Sequence, residues 1–423
     1  MRADWRTWLS IGLTGFGGPA GQVAILHREV VERRKWLDED EFLAALRVCM
    51  LLPGPEAQQL ATYAGWRRDG LAGGLLAGTL FVLPGAAIVT ALAWLHAARG
   101  SSPLLAAAFA GTRPAVVALV GLAAWRIARR SLGSPASVVV MLAALAALAG
   151  GVAFPAVVAA AWLLGWLVGG SVPEAAGRSP ATGGPAADPA PRGGARRALR
   201  HVAAVTVVAV AAWAAGYACV VATHAAGGRG PALARLFTGT TLLSLGGAYA
   251  VVPWALDESV ERGWLDPGER FTALAMGEAT PGPLILVVTF IGFMAGWKAA
   301  PAAADAGFDA ASQAGLAGAV VATLFAFLPS FAMILGLAPF VGSIRAGSRL
   351  GRAMSAVGAA VVAAILLLAW KLGTAAFVPA GDVDPLAVAV ALAAGALLLT
   401  GRVPAPAVVA AAAALGAATS LAS

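Results

Sequence analysis

Apolar runs of about 20 residues, the length a helix needs to cross ~30 Å of hydrocarbon, follow one another along nearly the whole of this chain. They leave no room for a sizeable soluble domain. Of 423 residues, 60% are hydrophobic and 12% charged, and the mean hydropathy of +0.81 lies far outside that of ordinary soluble domains. The expected fold is an all-α polytopic membrane protein whose function resides within the bilayer. The formal charge of +8, mostly from Arg in short loops, is the signature of orientation by positive loops and not of nucleic-acid binding. Cys49 and Cys219 lie inside apolar runs and read as packed thiols. The chain has no metal-ligand spacing and no phosphate-binding G-x-x-x-x-G-K loop, so no metal, cofactor or direct ATP hydrolysis is expected.

Two early runs carry helix breakers. The first, Trp5 to Leu26, contains Gly15-Phe16-Gly17-Gly18-Pro19 and reads as a broken span or a re-entrant hairpin. The next, Phe42 to Gly65, contains LLPGPEAQQL from Leu51 to Leu60. A helix stopped at Pro53 and Pro55 leaves carbonyls without amide partners, and the half-helix restarting at Glu56 offers amides that no earlier turn uses. In hydrocarbon such groups must be buried against protein or face a water-filled cavity, so each break is a packing point or a substrate site.

The breaks are duplicated. Gly17-Gly18 recurs as Gly246-Gly247, Trp36-Leu37-Asp38 as Trp264-Leu265-Asp266, and Pro53-Gly54-Pro55 as Pro281-Gly282-Pro283, the last two pairs at the same offset. Thr79-Leu80-Phe81 with Leu83-Pro84 returns as Thr323-Leu324-Phe325 with Leu328-Pro329. Thirteen spans are expected: six in residues 1–170, a flexible Pro/Gly/Ala linker over 171–200, one unmatched helix in 201–228, and six more in 229–423. The odd span between the halves makes them two inverted repeats with broken or re-entrant helices. A cytoplasmic N-terminus then places Arg67-Arg68, Arg126, Arg129, Arg130 and the basic linker on one side, with Arg33, Arg34 and Lys35 the exception.

Inverted-repeat transporters bind substrate between the repeats, where half-helix N-termini aim free amides and about half a positive charge at an anion. The candidate site is Gly17, Gly18 and Pro19 with Pro53, Gly54 and Pro55 from one half, and Gly246 and Gly247 with Pro281, Gly282 and Pro283 from the other. Gln58 and Gln59 add amide donors. Arg47 and Glu278, at intramembrane depth beside the two Pro-Gly-Pro breaks, read as an anion-field residue and a proton-coupling residue that pairs with it or titrates. The bland readings are that Arg47 snorkels to an interface and Glu278 caps the following half-helix.

FGGPAGQ, EVVERRKWL, LLPGPEAQQLATYAGW, LSLGGAYAVVPW, ERGWL and TPGP, in this order, resemble the signature segments of the chromate ion transporter family in its two-domain, long-chain form. The resemblance implies a duplicated unit fused in antiparallel orientation and export of chromate, with resistance to it, across the bacterial inner membrane. Driving force would come from membrane potential or proton antiport. The implied partners are chromate or a similar oxyanion and the lipid bilayer, with a homodimer allowed and no nucleic acid. Nothing in the spacing separates chromate from sulfate. A membrane-embedded lipid-phosphate enzyme is the reading from another class, and the chain lacks the clustered acid, base or metal ligands it would need.

Overall fold

Pro and Gly decide where this chain stops being helical, and the computed structural model follows them closely. It describes residues 4–99, 102–167, 194–245, 247–300, 307–342, 348–379 and 381–422, and among these every regular element is helical, with no strand. Helices α1 (Trp5–Thr14) and α2 (Gly18–His27) flank the first break. Helices α3 (Glu39–Leu51) and α4 (Glu56–Arg99) flank the second, and α4 is itself bent at Asp69 and Gly70, where the backbone leaves helical geometry. Then come α5 (Pro103–Ser131), α6 (Pro135–Ala149), α7 (Phe154–Leu167) and α8 (Gly194–Ala222).

In the second half α9 (Gly230–Leu243) and α10 (Val252–Glu261) flank the third break, which holds a short 3-10 turn at Ala248–Ala250. Helices α11 (Glu269–Ala279) and α12 (Val287–Ala299) flank the fourth, with another such turn at Leu284–Leu286. The chain closes with α13 (Gly307–Leu337), α14 (Ser348–Phe377), α15 (Pro385–Leu399) and α16 (Ala405–Ala422). Among the described residues five helices are long and apolar enough to cross a membrane: Glu56–Arg99, Pro103–Ser131, Leu199–Ala222, Ala310–Phe340 and Arg349–Phe377. Five shorter apolar helices accompany them. This is a polytopic membrane protein.

Two expectations need adjustment at the centre of the chain. Helix α8 begins at Gly194, inside the stretch assigned to the linker, because Ala-Arg-Arg-Ala-Leu-Arg is made of strong helix formers. The remainder of the expected linker lies outside the described residues, as does Gly246. Of the two thiols, Cys49 is buried but Cys219 is exposed on α8, whose apolar window is only 6% buried. Val207, Val208 and Val210 face outward with it, as suits a helix whose environment is lipid.

Packing crosses the midline of the sequence. Helix α5 packs on α14, α15 and α16, while α14 packs on α5, α6 and α7, so each half's last helices lie against the other half. Small residues permit these approaches: a Cβ on Gly416 would meet the Ala107 carbonyl at 2.3 Å, and one on Gly165 would meet the Arg352 carbonyl at 2.6 Å. Helix α4 likewise contacts α12 and α13.

The internal prolines of α4 and α13 are handled alike. Pro84 cannot donate to the Leu80 carbonyl, and α1 closes over that carbonyl at Gly12, where a Cβ would lie 2.2 Å from it. Pro329 frees the Phe325 carbonyl, which accepts from the Thr238 hydroxyl of α9 at 3.4 Å, and Thr241 serves the neighbouring Ala326 carbonyl.

Candidate functional site

Each break is completed by residues from the other half. At the fourth break Gly282 takes φ +101°, a left-handed geometry that suits glycine. Its N–H donates to the Gly15 carbonyl at 3.0 Å, across to the first break. Gln22 of α2, 2% exposed, ties the two together: its amide nitrogen donates to the Gly282 carbonyl at 2.6 Å and to the Gly15 carbonyl at 3.2 Å. Gly85, the residue after Pro84, lies against this loop, where a Cβ would come within 2.0 Å of the Pro281 carbonyl.

The second break is built from the counterpart residues. Gly54 takes φ +119°, and a Cβ there would lie 2.7 Å from the Gln59 amide nitrogen and 2.9 Å from the Ser330 hydroxyl. Ser330, the residue after Pro329, donates to the Gln58 side-chain amide oxygen at 2.7 Å. Gln58 in turn donates to the Thr62 hydroxyl at 2.9 Å, and Gln59 donates to the Pro53 carbonyl at 2.7 Å. Both glutamines are therefore spent on satisfying the break and fastening it to α13. Their amide nitrogens are not free donors. The Gln59 side-chain oxygen is the exception in this network, buried with no partner.

The third break touches both Pro-Gly-Pro loops. Gly247, at φ +106°, places its missing Cβ 3.3 Å from a carboxylate oxygen of Glu56, and the Ala248–Ala250 turn contacts the Leu284–Leu286 turn. Tyr249 donates its phenolic hydrogen to Glu278. Thus Pro53, Gly54, Pro55, Gly247, Pro281, Gly282 and Pro283 belong to one connected group of breaks. The first break joins it through Gly15, while Gly17, Gly18 and Pro19 turn away from the closest contacts: Gly17 is exposed, and a Cβ on Gly18 would meet nothing within 4 Å.

Charge is arranged differently from the sequence expectation. Arg47 is exposed on α3, and no ion pair joins it to Glu278 among the described residues. Glu278 is taken up by Tyr249. The positive charges that act on the breaks come instead from α5, where Arg126 acts on Glu278 and Tyr249, and Arg130 acts on Glu56. Gln22, Glu56, Tyr249 and Ser330 were not singled out from the chain. Glu56 and Ser330 had a signal, since one directly follows Pro-Gly-Pro and the other directly follows the repeated Leu-Pro.

Two charged clusters mark the ends of the half-helices that leave the Pro-Gly-Pro loops. Glu41 binds Arg67 at 2.6 Å and accepts from Tyr63 at 2.9 Å. A cavity of about 490 Å³ opens beside them, bounded across the midline by Ala338, Pro339 and Gly342. At the equivalent place in the other half Glu269 binds Lys298 at 2.7 Å, and His96 from α4 reaches it at 3.4 Å. Burial raises the Glu269 pKa, but the His96 and Lys298 hydrogen bonds outweigh it and hold this carboxyl below its ordinary range. Among the described residues no group of His, Cys, Asp and Glu could hold a metal ion.

The sequence profile described as chromate transporter matches residues 5–166 and 231–417. The chain is 32% identical to the chromate transport protein of Pseudomonas aeruginosa over 374 residues, covering 85% of this chain and 77% of that protein. It is 27% identical to the probable chromate transport protein of Synechococcus elongatus, over 79% and 74% of the two. The uncharacterized transporter YwrA of Bacillus subtilis, 29% identical, is matched over 90% of its length by only 37% of this chain. No solved structure matches the chain.

Proposed function

The chain belongs to the chromate transporter family, a family of transport proteins and not of enzymes, and on that premise we propose that it exports chromate through a site built where its four helix breaks meet. The observation that carries this reading is the crosswise completion of the breaks. Gly282 is bonded to Gly15 and Gln22, Gly54 packs on Ser330, and Gly247 faces Glu56, every contact joining one half to the other. Two inverted repeats, 1–170 and 229–423, joined by residues 171–193 and the unmatched helix α8, produce such exchange naturally, because a two-fold axis in the membrane plane swaps equivalent residues. The crossed packing of α5 and α14 and the single-half length of YwrA support the same arrangement, and the reading carries with it thirteen spans and multi-pass insertion in the inner membrane.

The substrate is a tetrahedral dianion with acceptor oxygens. Half-helix amides at Glu56–Ala57 and around Leu284–Val287 suit it, with Gly17, Gly18 and Pro19 offering an open left-handed turn at the rim. Such amides hold an anion without an internal Lys or Arg, and Arg126 and Arg130 supply positive field from α5. Glu278 is the coupling acid expected from the sequence, now with Tyr249 as its partner. In the inverted arrangement the Glu41 and Glu269 clusters lie at opposite membrane faces. The first borders an opening and the second is latched across the midline by His96, as one end-state of alternating access requires.

Moving two negative charges out across about 100 mV, interior negative, gains roughly 4.6 kcal/mol, which sustains a gradient of more than about a thousandfold. The test is chromate flux in inside-out vesicles with potential and pH gradient imposed separately, and with sulfate as competitor. Accumulation that responds to potential supports export of net negative charge. No chromate accumulation under either gradient would overturn the reading.

A further inference from the structure

We propose that Glu56 binds and releases a proton during transport, and that Gln59 is the residue built to hold its neutral form. The proposal rests on the reading of an oxyanion site at the breaks and goes beyond it by naming the acid that answers the anion. Glu56 is the first residue of α4, so its carboxylate sits at the half-helix N-terminus that the substrate would use, against the backbone of Gly247 from the other half. It has no hydrogen-bond partner in another residue among the described ones, its contact being with its own backbone N–H.

The second observation is Gln59. This side chain is 0% exposed, and its oxygen is an acceptor without a donor. Its orientation is settled by the Pro53 carbonyl, which takes the amide N–H at 2.7 Å; the flipped amide would set two oxygens against each other. Residues three apart in a helix share a face, so Glu56 and Gln59 are neighbours on the first turn of α4. An ionised Glu56 has nothing to donate to that oxygen. A protonated Glu56 has one O–H, and it completes the inventory of the turn. A buried acceptor left unpaired is costly, which favours the state that pairs it.

The surroundings couple this proton to the substrate. The titratable and charged groups that act on Glu56 are the Cys49 thiol of α3 and Arg130 of α5, and past Gly247 lies the Tyr249–Glu278 pair with Arg126. A dianion and a carboxylate at one N-terminus repel, so dianion binding favours the carboxylic acid, and by linkage protonation favours dianion binding. The step is carboxylate plus one proton giving carboxylic acid, reversed when the substrate leaves. Each chromate then moves with one proton, carrying one net negative charge, half the charge movement of the bare dianion considered above.

The experiment uses the purified full-length protein in weakly buffered detergent with a pH indicator, titrated with chromate. The wild type takes up about one more proton per bound chromate than Glu56→Gln; protonation of chromate itself is common to both and cancels. An equal proton count in the two proteins would overturn the proposal while leaving transport standing. Should Glu56→Gln fail to fold, Gln59→Leu carries the test, since loss of the acceptor must move the midpoint of proton uptake to lower pH and an unmoved midpoint would overturn it. A wild-type protein that binds no chromate removes the underlying reading, and the proposal with it.

Discussion

Replacing Gly85 by alanine tests whether the fourth break really docks on α4. The added Cβ would lie 2.0 Å from the Pro281 carbonyl oxygen and 2.6 Å from the Leu286 side chain. Carbon and oxygen need more than 3 Å, so α4 and the loop must part by about an ångström. Leu286 can rotate away, but the Pro281 carbonyl is backbone and cannot. Overpacking of this kind costs typically 1–3 kcal/mol, and two rigid backbones place it at the upper end. Alanine returns up to about 1 kcal/mol in helix propensity, leaving a net loss of about 2 kcal/mol, or roughly 30-fold in the folding equilibrium. Transport should fall further than stability, because the displaced segment carries Gly282 and its bonds to Gly15 and Gln22. Thermal unfolding in detergent and chromate flux in vesicles measure the two effects. Gly121→Ala is the control, since a Cβ there meets nothing within 4 Å. If Gly85→Ala matched Gly121→Ala in both assays, the docking geometry would be wrong.

Ser330→Ala removes the hydroxyl that donates to the Gln58 side-chain oxygen across the midline, and the acceptor left buried should cost about 1–3 kcal/mol in unfolding measurements; Ser330→Thr, which keeps the hydroxyl, should lose less. At the His27 connector both ring nitrogens meet carboxylates, Glu39 at 2.7 Å and Glu32 at 3.1 Å, and the Glu39 hydrogen bond leads in raising the His27 pKa above 6.5. A raised histidine stabilises fully below its ordinary value and loses that contribution as pH rises through the folded one, so unfolding temperature should decline above about pH 6.5 in the wild type and less in His27→Gln. The Glu269 carboxyl, held low by His96 and Lys298, has the opposite sign. Its latch is intact above about pH 4.5 and is lost as pH falls through the lowered value, so unfolding temperature should fall on acidification below about pH 4.5 in the wild type and less in Glu269→Gln; equal declines in the two would contradict the latch.

Much of this architecture was legible in the chain because its causes are local. Apolar runs near 20 residues demand helices in hydrocarbon, Pro-Gly-Pro stops them, and Gly at φ +119° and +101° marks turns that a side chain would strain. Repetition of those local signals pointed to two halves, and Gly54 and Gly282 both take left-handed geometry at their breaks. The same locality misled where a side chain's partner decides its role. Arg47 and Glu278 flank equivalent breaks in sequence, yet one faces outward and the other is held by Tyr249. Gln58 and Gln59 look like donors awaiting a substrate, whereas their amide nitrogens are consumed by Thr62 and the Pro53 carbonyl.

The sequence by itself determined the solvent of this protein, the places where its helices break, and the duplication of those places, since hydropathy and backbone dihedral preference are properties of short stretches. Only the tertiary structure decided who completes each break. Gln22 and Gly282 are 260 positions apart and Ser330 and Gln58 are 272 apart, and no local preference encodes such meetings. They exist because polar groups exposed by a break in a helix core must find partners, and at the Gly282 and Gln58 positions this fold supplies them from the other half.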